Sequence, residues 1–106
     1  MSDDVIVLNS NNFDKKIAKG NWVVDFWASW CAPCKIMAPY FEAAAKDLKG
    51  KVNFGKIDAE HESELAQRFQ VMSIPTLIFF KDKEQVERTV GAIDKAAILA
   101  KIKKSF

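Results

Sequence analysis

The spacing of hydrophobic positions along the chain changes several times, and each change marks an element. Val5 to Leu8 is a short apolar run and predicts a strand. In the polar stretch that follows, Ser10 or Asn11 can cap a helix whose Phe13 and Ile17 lie four apart and whose end is marked by Gly20. Trp22 to Ala28 is rich in branched and aromatic residues and predicts the strongest strand. Its near-continuous apolarity suggests a sheet covered on both faces. A helical period then runs from Cys34, or already from Cys31, to Leu48. Met37, Phe41, Ala44 and Leu48 carry it at spacings of four, three and four, and Gly50 stops it. Pro39 lies inside this pattern and removes one backbone hydrogen bond, so a kink within one helix is expected.

Val52 to Ile57 predicts a weaker strand. "HESELAQRF" predicts a short helix with Leu65 and Phe69 on one side and Ser63 near its start. Pro75 introduces a strand over Thr76 to Phe80, and "KDK" turns it into Gln85 to Val90 as a hairpin. The last helix starts at Asp94, a good cap, and runs through Ile98 and Ile102. The order is βαβαβαββα. It implies an α/β fold with a mixed sheet between helices, parallel connections early and one antiparallel hairpin late. At 106 residues the chain holds one core, and one domain over residues 1–106 is expected.

Composition narrows the function classes. With 49% apolar and 28% charged residues and no low-complexity segment, the chain is an ordinary globule. Lysine and arginine total 16 against 14 acidic residues, interspersed in sequence, which leaves no electrostatic footprint for nucleic acid. The basic tail "KIKKSF" reads as a solvated helix face. "MSDDVIVLNS" has acid where a secretory signal has base, and its apolar run is too short for a membrane span. A cytoplasmic protein is expected, and no patch in the sequence argues for more than a monomer.

Candidate chemistry centres on "WCAPCK". Structural zinc needs four ligands, whereas Cys31 and Cys34 supply two and the sole histidine, His61, reads as a solvated residue near a helix start. A metal site shared between subunits stays open, but it requires a dimerisation that nothing in the sequence predicts. A purely structural bridge over so short a loop removes unfolded-state entropy worth on the order of 2 kcal/mol before strain. Disulfide exchange fits better, because it needs one exposed thiolate to attack and a second thiol close by to resolve. Cys31, in a helix's first turn, is favoured as the thiolate by unpaired N–H groups and the positive helix end. Cys34, deeper, fits the resolving role. Ala32 and Pro33 are spacers that hold the pair near disulfide distance, and Pro33 gives up a donor with no intrahelical partner.

Asp25 stands between Val24 and Phe26 in a strand expected to be buried, which is costly unless it is paired or protonated, so its pKa is expected to rise. Six residues before Cys31, it is placed to sit beneath Cys34 and exchange protons with it through a water. Lys56 is either its companion charge on the neighbouring strand or a surface lysine. Trp30 beside the sulfur offers a flat apolar contact for a polypeptide, whereas Trp27 is expected to pack. For Ile74–Pro75 base rates favour trans; a cis bond would turn the Ile74 backbone outward toward an extended substrate.

These residues together resemble the thioredoxin family. Its W-C-G-P-C motif is matched at Trp30 to Cys34 with Ala32 in the glycine slot. D-F-W-A matches at Asp25 to Ala28, the helix proline at Pro39, the lysine at Lys56, I-P-T at Ile74 to Thr76 and a glycine at Gly91. The resemblance implies the thioredoxin fold, a central five-stranded sheet flanked by four helices. It further implies a cytosolic dithiol oxidoreductase with no bound cofactor that reduces client protein disulfides. Thioredoxin reductase, usually a flavoprotein drawing on NADPH, would recharge it. It casts Cys31 as nucleophile, Cys34 as resolving thiol, Asp25 as buried proton acceptor modulated by Lys56, and Pro75 as a cis-proline, against the base rate. Ile74, Gly91 and Ala92 would complete a partner surface around Trp30. The hairpin "FKDKEQ" departs from the family in lacking a glycine near Lys83, so a strained or altered turn is expected there. A disulfide oxidase or isomerase, and a docking subunit that keeps the fold without the chemistry, are the competing functions.

Overall fold

A computed structural model describes residues 3–106; Met1 and Ser2, the first positions of the stretch read above for a leader, lie outside them. The elements are β1 (Val5–Val7), α1 (Phe13–Lys16), β2 (Asn21–Trp27), α2 (Ala32–Asp47), β3 (Asn53–Asp58), α3 (Ser63–Arg68), β4 (Thr76–Lys81), β5 (Glu84–Val90) and α4 (Lys95–Ser105). The five strands form one mixed sheet in the order β1-β3-β2-β4-β5. β3 runs parallel to both β1 and β2, and β4 pairs antiparallel with both β2 and β5. The antiparallel β2–β4 pairing goes beyond the single late hairpin expected. The excursion through α3 and the turn after it returns the chain on the far side of β2, and hydrophobic period carries no record of that direction.

Side chains alternate across the sheet, so each face has its own core. On one face α2 and α4 bring Met37, Phe41, Ile98 and Ile102 against Val23, Phe54, Leu77 and Phe79. On the other, α1 and its C-cap Ile17, together with α3, bring Phe13, Ile17 and Leu65 against Val24, Phe26, Ile57, Ile78 and Phe80. This double cover explains why Trp22 to Phe26 is buried throughout. Gly55 makes the second packing feasible, because a Cβ there would lie 2.5 Å from Leu8 Cδ1.

Local signals were displaced by a residue or two. Neither Ser10 nor Asn11 caps α1. Instead Asn9 Oδ1 accepts the N–H groups of Asn11 and Asn12, while Asn12 Oδ1 accepts that of Asn9. α2 stays one helix through Pro39. Asp94 caps α4 by accepting the Ala97 N–H at 2.9 Å. At the glycine-free hairpin, Asp82 and Lys83 both take positive φ, 47° and 77°, as a two-residue turn of this hand requires. The turn is braced by Gly20, whose N–H donates to Asp82 Oδ1 and whose carbonyl accepts the Asp82 N–H.

Candidate active site

β2 ends at Trp27, and three loop residues later Cys31 serves as the N-cap of α2 with extended backbone, φ −89° and ψ 107°. Its N–H donates to Ala28 O at 3.2 Å, which closes the bend between strand and helix. The Cys34 N–H, one of the orphan donors of the first turn, points at Cys31 Sγ at 3.2 Å. Cys31 and Cys34 are joined in a disulfide with Cα atoms 5.3 Å apart, inside the ordinary range. Ala32 and Pro33 are exposed between them.

The expectation of an exposed Cys31 above a covered Cys34 requires correction. The two residues are 4% and 3% exposed. Cys31 packs with Ala28 and Cys34 under the partly buried Trp27 and Ile74. The Ile74 carbonyl oxygen lies 3.8 Å from Cys31 Sγ; a disulfide sulfur has no proton to donate, so this is a contact and not a hydrogen bond. Asymmetry between the sulfurs therefore comes from the helix amide and the neighbouring loop, not from a large difference in cover.

That loop carries Ile74–Pro75, and the bond is cis, which overturns the base-rate preference and agrees with the resemblance. The Gly91 N–H donates to Pro75 O at 2.8 Å, tying the end of β5 to the loop. Gly91 has φ +97°, a conformation that disfavours a side chain. Ile74, Pro75 and Gly91 are thus brought together beside Cys31, and Ala92, exposed, follows directly.

Beneath the disulfide, Asp25 is 5% exposed, and its Oδ1 has no hydrogen-bond partner. Burial pushes the carboxyl up from 3.8 to about 7, against the opposing pull of the Lys56 charge. Lys56 is Asp25's register partner on β3 and is half-buried, with Nζ 5.4 Å from the centre of the Trp27 ring. Asp25, Cys34 and Lys56 line one cavity of about 150 Å³, large enough for water, to which Lys35 and Glu42 also contribute. Sequence reasoning passed over Lys35 and Glu42, because a charge one helical turn or two beyond a cysteine looks like any solvated helix residue.

Trp30 is 68% exposed, and its indole N–H donates to Glu60 Oε2 at 2.8 Å. Glu60 was also missed; within "DAEHESE" nothing distinguishes the carboxylate that reaches an indole 30 positions away. His61 is exposed, with Nδ1 2.8 Å from Asp58 Oδ2, and that hydrogen bond and charge raise its pKa. Among the described residues no group of three or more His, Cys, Asp and Glu is arranged to hold a metal. No helix among them is long and apolar enough to cross a membrane.

Comparison with known proteins agrees with this geometry. Residues 4–104 match the family described as Thioredoxin. A thioredoxin of Staphylococcus saprophyticus is 45% identical over 100 residues, covering 94% of this chain and 96% of the relative. One of Staphylococcus haemolyticus is 47% identical over 87 residues, covering 82% and 84%. The crystal structure of a thioredoxin from Malassezia sympodialis superposes with a TM-score of 0.85 at 34% identity, covering 95% of this chain and 90% of that one.

Proposed function

The chain belongs to the thioredoxin family, a thiol-disulfide oxidoreductase built on a Cys31–Cys34 pair, and on that premise we propose the following division of labour. In the dithiol form Cys31 is the nucleophile. Its thiolate receives the Cys34 N–H and the positive end of α2, so the charged form is favoured. It attacks one sulfur of a client disulfide, forming a Cys31–client mixed disulfide and releasing the client's other sulfur as a thiolate. Cys34 then loses its proton to the Asp25 carboxylate through the shared cavity and attacks Cys31 Sγ. The Cys31–Cys34 disulfide forms, the second client thiolate leaves, and the client has gained two electrons.

Lys56 moderates Asp25, keeping its carboxylate accessible near neutrality despite burial. Trp30, Ile74, Gly91 and Ala92 form the client surface, and the cis Pro75 turns the Ile74 carbonyl toward Cys31. Recharging the disulfide requires a dithiol donor, and we assign that role to thioredoxin reductase drawing on NADPH, in the cytoplasm. The observation that carries the reading is a helix-capping Cys31 bonded to Cys34, with both sulfurs covered, and the buried Asp25 carboxyl lining the same cavity as Cys34.

A redox titration against glutathione or dithiothreitol separates reductase from oxidase. Pro33, and not a charged or histidine spacer, stands between the two cysteines, so a potential near the reducing extreme of about −270 mV is expected. A value near about −120 mV overturns the reductase assignment.

A further inference from the structure

Between α3 and the disulfide the chain makes a tight reversal. The Val71 N–H donates to Ala66 O at 2.8 Å and the Gln70 N–H to Gln67 O at 3.0 Å, while Gln70 takes φ +53°, the left-handed conformation that such a helix closure uses. Those two bonds engage the carbonyls of Ala66 and Gln67, and not those of Phe69 and Gln70. One side chain from the edge of the sheet takes both of the latter. Arg88 on β5 is the register partner of Ile78, whose side chain packs in the core beneath α3, so Arg88 rises on that same face. Its Nη1 donates to Gln70 O at 3.2 Å and its Nη2 to Phe69 O, and Nη2 also donates to Gln85 Oε1 at 3.3 Å on its own strand. A guanidinium carries its donors in a rigid planar fork, so this one half-buried residue holds two consecutive carbonyls, and its charge has the sign that a helix C-terminus favours.

The segment held in this way leads to the disulfide. Val71 and Ile74 pack against the core under α3, and Ile74, four positions after Gln70, places its carbonyl oxygen 3.8 Å from Cys31 Sγ. At the other end the Gly91 N–H, just beyond β5, donates to Pro75 O. Residues 70–75 are therefore tied to β5 at their start by Arg88 and to its exit at their finish by Gly91. We propose that Arg88 is a positioning residue for client binding: its guanidinium clamps the Phe69–Gln70 turn and thereby sets where the Ile74 backbone stands beside Cys31. The inference rests on the disulfide-reductase reading above and adds to it a residue that acts through the loop. Losing the fork leaves the sulfurs and Asp25 in place and loosens the segment, which must then be ordered as the client docks. The loss falls on binding more than on the chemical step.

The test compares the parent chain with R88A, R88K and D82A, using one purified disulfide-containing protein as client and dithiothreitol as donor. For R88A, KM is expected to rise by about three- to tenfold with kcat within about twofold, and the Ile74 amide resonance should shift and exchange faster. R88K keeps the charge but has a single ammonium in place of the fork; it should fold and still raise KM by about twofold or more. D82A removes the Gly20 brace at the opposite end of β4 and serves as a control for general destabilisation. Its urea midpoint should fall while its KM stays at the parent value. A KM equal to the parent's in R88A or R88K overturns the proposal. So does a D82A protein whose KM rises as far as that of R88A, which would assign the effect to overall loosening. A parent that turns over no client refutes the reductase reading instead, a result distinct from an active parent indifferent to Arg88.

Discussion

Replacing Cys34 by serine is expected to lower client turnover by about 10³-fold or more while trapping the chain on its substrate, because an intramolecular resolving thiol acts at very high effective concentration. Serine fits the nearly closed site of Cys34, whose exposure is 3%, so the fold should survive. Cys31 remains able to attack, and the mixed disulfide can then leave only by encounter with an external thiol. Mass spectrometry under non-reducing conditions should find stoichiometric Cys31–client adduct. The same assay on a Cys31→Ser protein should find none. Turnover unaffected by Cys34→Ser would leave the fold as a docking scaffold.

Asp25 carries the second large effect, visible in both stability and rate. Its folded-state pKa of about 7 lies above the unfolded value of 3.8, opposite to the usual shift of a paired carboxylate. Between those values the native state holds the proton and the unfolded chain has released it. Unfolding is therefore favoured progressively as pH rises from about 4 to about 7. The full span corresponds to roughly 4 kcal/mol, since each unit is worth about 1.4 kcal/mol. Asp25→Asn removes this term. Denaturant unfolding of the disulfide form should show a variant close to the parent at pH 4 and up to about 4 kcal/mol more stable at pH 8. A parent stability flat from pH 4 to 8 would contradict the burial argument.

For the rate the sign reverses, because the carboxylate that destabilises the fold is the form able to accept a proton. Release of the mixed disulfide should accelerate as pH rises through about 7 in the parent. In Asp25→Ala it should be slower by about 10²-fold, with initial attack by Cys31 much less affected. Equal slowing of both steps would leave Asp25 without a role in proton transfer. The cost in stability and the gain in resolution thus come from one buried carboxyl group.

The sheet and its helices were legible because each strand and helix carries its own period, and double cover made β2 apolar almost throughout. Asp25 stood out for the same reason: a carboxylate in a run such as "WVVDFW" conflicts with its surroundings. Features that depend on distant backbone were not legible. Strand order and the Gly20 brace under the Asp82 turn arise from tertiary contacts, whereas the reciprocal Asn9 and Asn12 hydrogen bonds are local but do not follow the helix-cap pattern. The cover over Cys31 comes from Ile74, 43 positions away, so helix position alone overstated its exposure. Glu60 was hidden among neighbouring acids whose side chains make local or unrelated contacts. The cis Ile74–Pro75 bond was readable from the family pattern and not from the base-rate preference for trans.

Reduction of a protein disulfide by catalytic amounts of this chain, with dithiothreitol as donor, tests most directly whether the Cys31–Cys34 pair cycles. Many turnovers per molecule are expected, lost on replacing either cysteine by serine. A rate no greater than that of dithiothreitol alone, with the pair fully reduced at the start, would contradict the assignment.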